Sequence, residues 1–264
     1  MKKIVFLILL SGIWTGVIAQ NSNDFKAIDN KMLQIPESST TSTQEIAGYI
    51  NSNYSSANDK SRAIFIWIAK NIQYDVANMY VLNTNLKPDE SIAKTLKTRK
   101  GICSDYANLF NDIAGKTGIK SYVITGYTKQ KGVVDNLPHA WCAALIDSMW
   151  YMFDPTWGSG SIQNTKFVKQ VNNFYFKMKP EQIIKSHISF DPLWQFLNYP
   201  ITNQEFYEGK SQVNTEKPFF NFNDTLAIYE KQSDMERLVS SSNRIESNGV
   251  KNSLIFNMLQ YDKR

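Results

Sequence analysis

The stretch RKGICSDYANLF, residues 99–110, places a single cysteine directly after Gly-Ile and at the start of a helical pattern. Apolar side chains then recur on one face of a predicted helix, at Tyr106, Leu109, Phe110, Ile113 and Ala114. Cys103 lies in the first turn of this helix, where unpaired backbone N–H groups and the helix dipole favour a thiolate. Two interpretations of Cys103 follow from the residues alone: a small buried core residue, or a nucleophile.

The surrounding segments predict helices first and antiparallel strands afterwards. The run NDKSRAIFIWIAKNIQYD, residues 58–75, has apolar residues at helical spacing, and SYVITGY, residues 121–127, has the β-branched and aromatic content of a strand. HAWCAALI and MWYMFD, separated by Asp147 and Ser148, have the pattern of a hairpin. This order predicts an α+β fold in which the helix of Cys103 packs on an antiparallel sheet.

The hairpin register brings a histidine and a carboxylate together. If Asp147 and Ser148 form the turn, His139 faces Thr156 and Asp154 is its diagonal neighbour on the same face. Such neighbours lie about 7–8 Å apart at Cα, so the carboxylate can accept a hydrogen bond from the imidazole.

The same alternation separates the two cysteines, because neighbouring side chains in a strand point to opposite faces. Cys142 points away from His139 and is expected to be a buried core thiol. No disulfide between Cys103 and Cys142 is expected if Cys103 meets His139.

The N-terminal residues predict export. Lys2 and Lys3 precede a short apolar run that ends in small residues at Ala19, the pattern of a secretory signal peptide. The predicted organisation is a signal peptide at 1–19, a lead-in at 20–44, a core domain at 45–206 and a partly helical C-terminal extension at 207–264. Bacterial export to the periplasm or the medium is expected, with no stable membrane span after cleavage.

Composition excludes several classes of protein. The net charge of +5 falls to +3 when Lys2 and Lys3 leave, and no basic tract is interleaved with aromatic residues, so nucleic-acid binding is not expected. The chain has only two cysteines and two histidines, and it lacks a short-spaced ligand pair such as C-x-x-C that is typical of metal sites. Neither a metal site nor another cofactor is predicted.

Four segments carry a family resemblance. GICSDYANLFNDIAGKTGIKSYVITGYTK, residues 101–129, and HAWCAALIDSMWYMFDPTWG, residues 139–158, resemble the core of the transglutaminase-like superfamily. AIFIWIAKNIQYD, residues 63–75, is similar to the helix before that core. KPEQIIKSHISFDPLWQFL, residues 179–197, resembles the tail of the kyphoscoliosis-peptidase-like branch, and the whole resemblance covers 45–206.

The resemblance implies a papain-like fold and a Cys-His-Asp triad. Cys103 would be the nucleophile, His139 the general base and acid, and Asp154 the residue that orients the imidazole. The implied reaction is acyl transfer on a peptide or carboxamide bond of a peptide, protein or cell-wall peptide. A peptidase or amidase is favoured over a protein cross-linking enzyme, because the sequence lacks recognisable calcium-binding insertions and accessory β-domains.

Further roles are less specific. The oxyanion donors would be the Cys103 backbone N–H and a side chain, with Gln73 and Tyr74 as candidates. A helix terminus packed on the core explains those two residues equally well. Trp141 and Trp157 are candidates for the wall of a substrate cleft or for core positions.

Two other polar residues near these motifs have ordinary explanations. Asp105 can act electrostatically on Cys103 or cap the first turn of its helix. His187, with Asp191 as its nearest acidic neighbour in sequence, is interpreted as a packing residue. A non-enzymatic binding or assembly module on the same scaffold remains the alternative function.

Overall fold

Helices build the first part of the chain and antiparallel strands follow them. The computed structural model describes residues 25–80, 87–135 and 137–249, and the predicted signal peptide lies outside this part. The helices up to the main sheet are α1 (Lys26–Leu33), α2 (Thr43–Asn53), α3 (Ala57–Asn71), α4 (Pro88–Thr98) and α5 (Cys103–Lys116). The order confirms the α+β prediction.

The strands follow in a main sheet and two small ribbons. In chain order they are β1 (Gln73–Tyr74), β2 (Lys100–Gly101), β3 (Ser121–Gln130), β4 (Val133–Val134), β5 (His139–Ile146), β6 (Met149–Phe153), β7 (Gly160–Gln163), β8 (Lys166–Lys169) and β9 (His187–Ser189). The main sheet has the order β4-β3-β5-β6, and β9 also pairs with β3. β1 pairs parallel with β2, and β7 forms a hairpin with β8.

The remaining helices lie between and after the last strands. They are α6 (Pro180–Ile183), α7 (Asn203–Tyr207), α8 (Phe222–Tyr229) and α9 (Asp234–Ser247). Among the residues that the structure describes, none of the helices has the length and apolar character that a membrane crossing requires.

α3 is the central helix of the core. Every side chain from Ser61 to Ala69 is buried, as expected for a helix that is packed on all sides. The helix begins after Ser56, whose side chain accepts a hydrogen bond from the Asp59 N–H at 3.0 Å. Arg62 is buried within α3 because Asp29 of α1 binds its guanidinium at 2.6 and 2.7 Å. Part of the predicted lead-in is therefore a folded helix docked on α3.

The β5–β6 hairpin has the predicted register. Ile146 pairs with Met149 and Cys142 with Phe153, and Asp147 and Ser148 have φ angles of 50° and 67°, as a tight type I′ turn requires. Alternation then divides the sheet residues between two clusters. Cys142 and Phe153 face the helices, whereas Trp141 faces the C-terminal segment.

The C-terminal segment is held on this second face by a partly buried ion pair. Arg244 of α9 donates from Nε and Nη2 to the two carboxylate oxygens of Asp191, at 2.9 and 2.6 Å. Asn248 donates to the Ile201 carbonyl at 3.1 Å. α9 thereby fixes the segment that follows β9.

Gly126 lets β9 approach β3. A Cβ at this position would lie 1.9 Å from the Ile188 carbonyl oxygen and 2.8 Å from the Ser189 Cα, so only glycine fits. By contrast, Gly48 is exposed within α2 and a Cβ there meets nothing within 4 Å.

These two glycines predict opposite effects of the same substitution. Gly126→Ala should lower the free energy of unfolding by about 1–3 kcal/mol, because backbone of β9 must move. Gly48→Ala, the matched control, should raise it by up to about 1 kcal/mol, because alanine favours a helix interior. Chemical denaturation of both variants measures the difference. A Gly126→Ala protein as stable as the parent would contradict the close packing of β9 on β3.

Candidate active site

Cys103 is the first residue of α5, and a folded-back carboxylate shapes the turn around it. The side chain is partly exposed and borders the helical core cluster. Asp105 accepts a hydrogen bond from the Ile102 N–H at 2.8 Å and another from the Ser91 hydroxyl of α4. A Cβ at Gly101 would lie 2.6 Å from the Asp105 Cβ, so only the absence of a side chain at position 101 lets Asp105 pack this close to the backbone. Asp105 is therefore a capping residue that fixes the position of Cys103.

His139 begins β5 and binds Asp154 just beyond the end of β6. His139 Nε2 lies 2.9 Å from Asp154 Oδ2, which confirms the contact predicted from the register. The other carboxylate oxygen accepts from the N–H groups of Thr156 and Trp157, at 2.9 and 3.0 Å. Both groups are buried, so the carboxylate is held by the turn that follows it as well as by the imidazole.

This pairing sets the charges of the two groups. Burial opposes ionisation of Asp154, but the positive charge and hydrogen bond of His139 outweigh it and hold the Asp154 pKa well below its usual range. Burial likewise opposes a charged His139. The negative charge and hydrogen bond of Asp154, with a contribution from Cys103, raise the His139 pKa to about 10. Since His139 Nε2 is hydrogen-bonded to Asp154, Nδ1 is the ring nitrogen available to hydrogen-bond with the Cys103 sulfur.

His187 also contacts Asp154, although its sequence neighbours indicated only a packing residue. Its Nε2 lies 3.1 Å from Asp154 Oδ2, and its Nδ1 lies 2.8 Å from the Ser186 hydroxyl oxygen. Asp191, the acid closest in sequence, binds Arg244 instead. Burial lowers the His187 pKa, and its hydrogen bond with Asp154 only partly opposes this. Both histidines of the chain thus meet at one carboxylate.

The two tryptophans differ in exposure. Trp141 is 2% exposed, with ring centroids 6.2 Å from His139 and 5.1 Å from His187, so it packs in the core beneath the imidazoles. Trp157 is half-buried, and its ring lies 5.6 Å from His139 and 4.7 Å from His187. Of the two cleft candidates, Trp157 is the one with side-chain surface open to solvent.

Gln73 and Tyr74 lie beside the residues that precede Cys103. β1 pairs Gln73 with Lys100 and Tyr74 with Gly101. The Gln73 side chain is exposed, whereas Tyr74 is partly buried in the cluster that Cys103 borders. Burial raises the Tyr74 pKa, and the Cys103 sulfur contributes further. Tyr74 is therefore the candidate whose hydroxyl is electrostatically coupled to Cys103.

Cys142 and His139 lie on opposite faces of β5, as predicted, and Cys142 faces the helices. Its thiol is fully buried and donates to the Ala107 carbonyl of α5 at 3.4 Å. Burial raises its pKa well above the ordinary value. Both cysteines are free, so Cys142 is a packing residue and no disulfide joins the pair.

Metal-ligating atoms also meet in this site. Nitrogen and oxygen atoms of His139, Asp154 and His187 lie within 4.8 Å of one another. However, an ionised Asp154 accepts hydrogen bonds from both Nε2 atoms, so those nitrogens carry protons rather than free lone pairs. The arrangement fits an acid–base group better than a metal site.

Comparison with known proteins identifies the domain that carries these residues. Residues 44–155 match the family model described as the transglutaminase-like superfamily. The kyphoscoliosis peptidase of Mus musculus is 32% identical over 156 residues, which are 56% of this chain and 23% of that protein. Cytokinesis protein 3 of Schizosaccharomyces pombe is 26% identical over 190 residues, covering 69% of this chain and 21% of that protein.

The match is confined to part of each protein. The chain spans about a quarter of the length of the curated kyphoscoliosis peptidases it matches. Among solved structures, the periplasmic domain of TgpA from Pseudomonas aeruginosa aligns with 50% of this chain and 47% of its own, at 19% identity and a TM-score of 0.37. Residues 44–155, which contain Cys103, His139 and Asp154, form a domain of the transglutaminase-like superfamily.

Proposed function

We propose that the chain is an exported cysteine-dependent acyl-transfer enzyme that cleaves peptide or carboxamide bonds. The observation that carries the proposal is the Asp154–His139 pair, whose imidazole is buried, held by Nε2 and coupled to Cys103. A thiol nucleophile is activated by a neighbouring base whose ring is oriented by a third group, and by a position at the start of a helix.

The proposed first step is attack by the Cys103 sulfur on the substrate carbonyl. The carbon–sulfur bond forms as the carbonyl π electrons move to oxygen, and His139 holds the proton that the thiol has lost. The proposed oxyanion donors are the Cys103 backbone N–H, at the start of α5, and the Tyr74 hydroxyl.

The second step expels the amine and the third regenerates the thiol. The carbon–nitrogen bond breaks as His139 Nδ1 gives its proton to the leaving amine, and an acyl thioester remains on Cys103. Neutral His139 then takes a proton from water as the water oxygen bonds to the thioester carbon. The carbon–sulfur bond breaks with its electrons returning to sulfur, which releases the acid and restores Cys103. Throughout, Asp154 stabilises the imidazolium and keeps the ring oriented.

Hydrolysis is proposed over protein cross-linking. The peptidase name of a 32% identical relative supports this choice for the shared domain. The substrate class is a peptide, a protein or a cell-wall peptide, and the partly exposed Trp157 beside His139 offers an apolar surface for a side chain of that substrate.

A thiol variant tests the nucleophile. Cys103→Ala should reduce amine release from a library of peptides and cell-wall fragments by about 10³-fold or more, because no other group replaces the attacking sulfur. The matched control, Cys142→Ala, removes the buried thiol and should keep activity in the folded protein. Mass spectrometry with a thiol-directed probe should find the label on Cys103.

Two outcomes would contradict this assignment. A label on Cys142 without a label on Cys103 would remove Cys103 as the reactive thiol. Full biological function in a folded Cys103→Ala protein would favour the binding or assembly module instead.

Export has its own test. The protein recovered from the periplasm or medium of a bacterial host should begin at Gln20, because the predicted signal peptide ends at Ala19. A matched chain without residues 2–19 should remain in the cytosol. N-terminal sequencing measures the cleavage point, and an intact Met1 on all of the protein would contradict the proposal.

A further inference from the structure

His187 occupies a position at the site that no part of the proposed reaction has used. It lies on β9, outside the matched residues 44–155, and its side chain is fully buried. Its Nε2 is 3.1 Å from Asp154 Oδ2, the same oxygen that His139 Nε2 approaches to 2.9 Å. One carboxylate oxygen therefore joins the His139 imidazole to a second imidazole, that of His187.

The fold leaves this second imidazole little freedom. β9 pairs Thr128 with His187, and the absence of a side chain at Gly126 allows the strand to lie close to β3. The ring is packed edge-on against Trp141 and Trp157, with centroids 5.1 and 4.7 Å away. A ring held in this way can act as a fixed hydrogen-bond donor.

Hydrogen-bond partners determine the tautomer of His187. An ionised carboxylate can only accept, so the proton of the neutral ring must lie on Nε2. Nδ1 is then an acceptor, and the Ser186 hydroxyl, 2.8 Å away, is its donor. The Ser186 hydroxyl lies nearer to Nδ1 than to the Ile183 carbonyl, 3.3 Å away, and can donate to the ring nitrogen in the tautomer that Asp154 imposes.

The charge state matters as well as the geometry. A second imidazolium would share the negative charge of Asp154 with His139 and weaken its hold on the catalytic ring. Burial and the nearby positive His139 both oppose a charge on His187. The neutral ring adds a hydrogen bond without adding a competing charge.

We propose that His187 is a positioning residue of the Cys103–His139–Asp154 site: its Nε2–H, on a ring held by β9 and the two tryptophans, orients the Asp154 carboxylate toward His139. This inference rests on the proposed function, since the orientation is useful only if His139 exchanges protons during acyl transfer. The backbone donors of Thr156 and Trp157 hold Oδ1, and His187 supplies the corresponding constraint on Oδ2.

The first experiment compares two substitutions in the full mature chain. His187→Phe fills the site but has no donor, and kcat should fall by about 10- to 100-fold with KM nearly unchanged, as expected for loss of a hydrogen bond to a charged group. His187→Gln places an amide N–H near the same point and should restore kcat to within about threefold of the parent.

A matched control separates positioning from stability. Ile188→Val removes one methyl group from the neighbouring buried residue of β9. The Ile188 side chain packs with Leu197 and Ile201, in a cluster that does not contain Trp141. The substitution should lower stability slightly without changing kcat. If Ile188→Val lowers kcat as His187→Phe does, or if folded His187→Phe keeps the parental kcat, the proposal is overturned.

A spectroscopic measurement separates this proposal from the proposed function. In tag-free protein, His187→Phe leaves His139 as the only histidine, so its imidazole signals are unambiguous. Its Nε2 proton should exchange with water at least about tenfold faster than in the parent or in His187→Gln, because Asp154 is less constrained. Unchanged exchange would overturn the positioning role even in an active enzyme. Faster exchange in a protein without acyl-transfer activity would support the positioning role and reject the proposed function.

Discussion

The buried carboxylate of Asp154 is the interaction on which the rest of the site depends. An isolated charge in such a place would cost many kcal/mol, so it must be matched by donors. Thr156 and Trp157 supply two backbone N–H groups, and His139 and His187 supply two imidazole N–H groups. These donors come from the turn after β6, the start of β5 and β9. The carboxylate can be buried only when all three segments have assembled around it.

Cys103, the proposed nucleophile, comes from the helical side of the same assembly. Cys103 is positioned by the Asp105 cap and by the tight approach at Gly101, whereas His139 and Asp154 are positioned by the sheet. The buried face of α5 packs on β5, so the helix that carries Cys103 and the strand that carries His139 share one core. The proposed chemistry is thus located where the helical and sheet layers meet.

Local patterns predicted much of this arrangement. The turn at Asp147 and Ser148 determines the register that brings His139 to Asp154, and simple alternation placed Cys142 on the other face. The helical stripe after Cys103 identified α5. These features depend on residues close in sequence, where periodicity and turn preferences are informative.

The features that the sequence did not reveal depend on contacts between distant segments. His187 reaches Asp154 because the three-residue strand β9 pairs with β3, and three residues are too few to show a period. Strand β7 and its pairing with β8 were also missed, since the turn at Asn164 and Thr165 uses positive φ angles without a glycine. The C-terminal extension, predicted only as partly helical, contains two separate helices, α8 and α9, because Ser233 caps a new helix start.

The central claim is that Asp154 keeps His139 positively charged at neutral pH. The most direct measurement is a ¹⁵N NMR titration of the two histidine side chains in the tag-free mature protein. The account predicts that His139 remains an imidazolium until the pH approaches about 10, because burial is outweighed by the charge and hydrogen bond of Asp154. His187 should remain a neutral Nε2–H tautomer at pH 7. A neutral His139 at pH 7, titrating near the ordinary histidine value of about 6.5, would contradict the account.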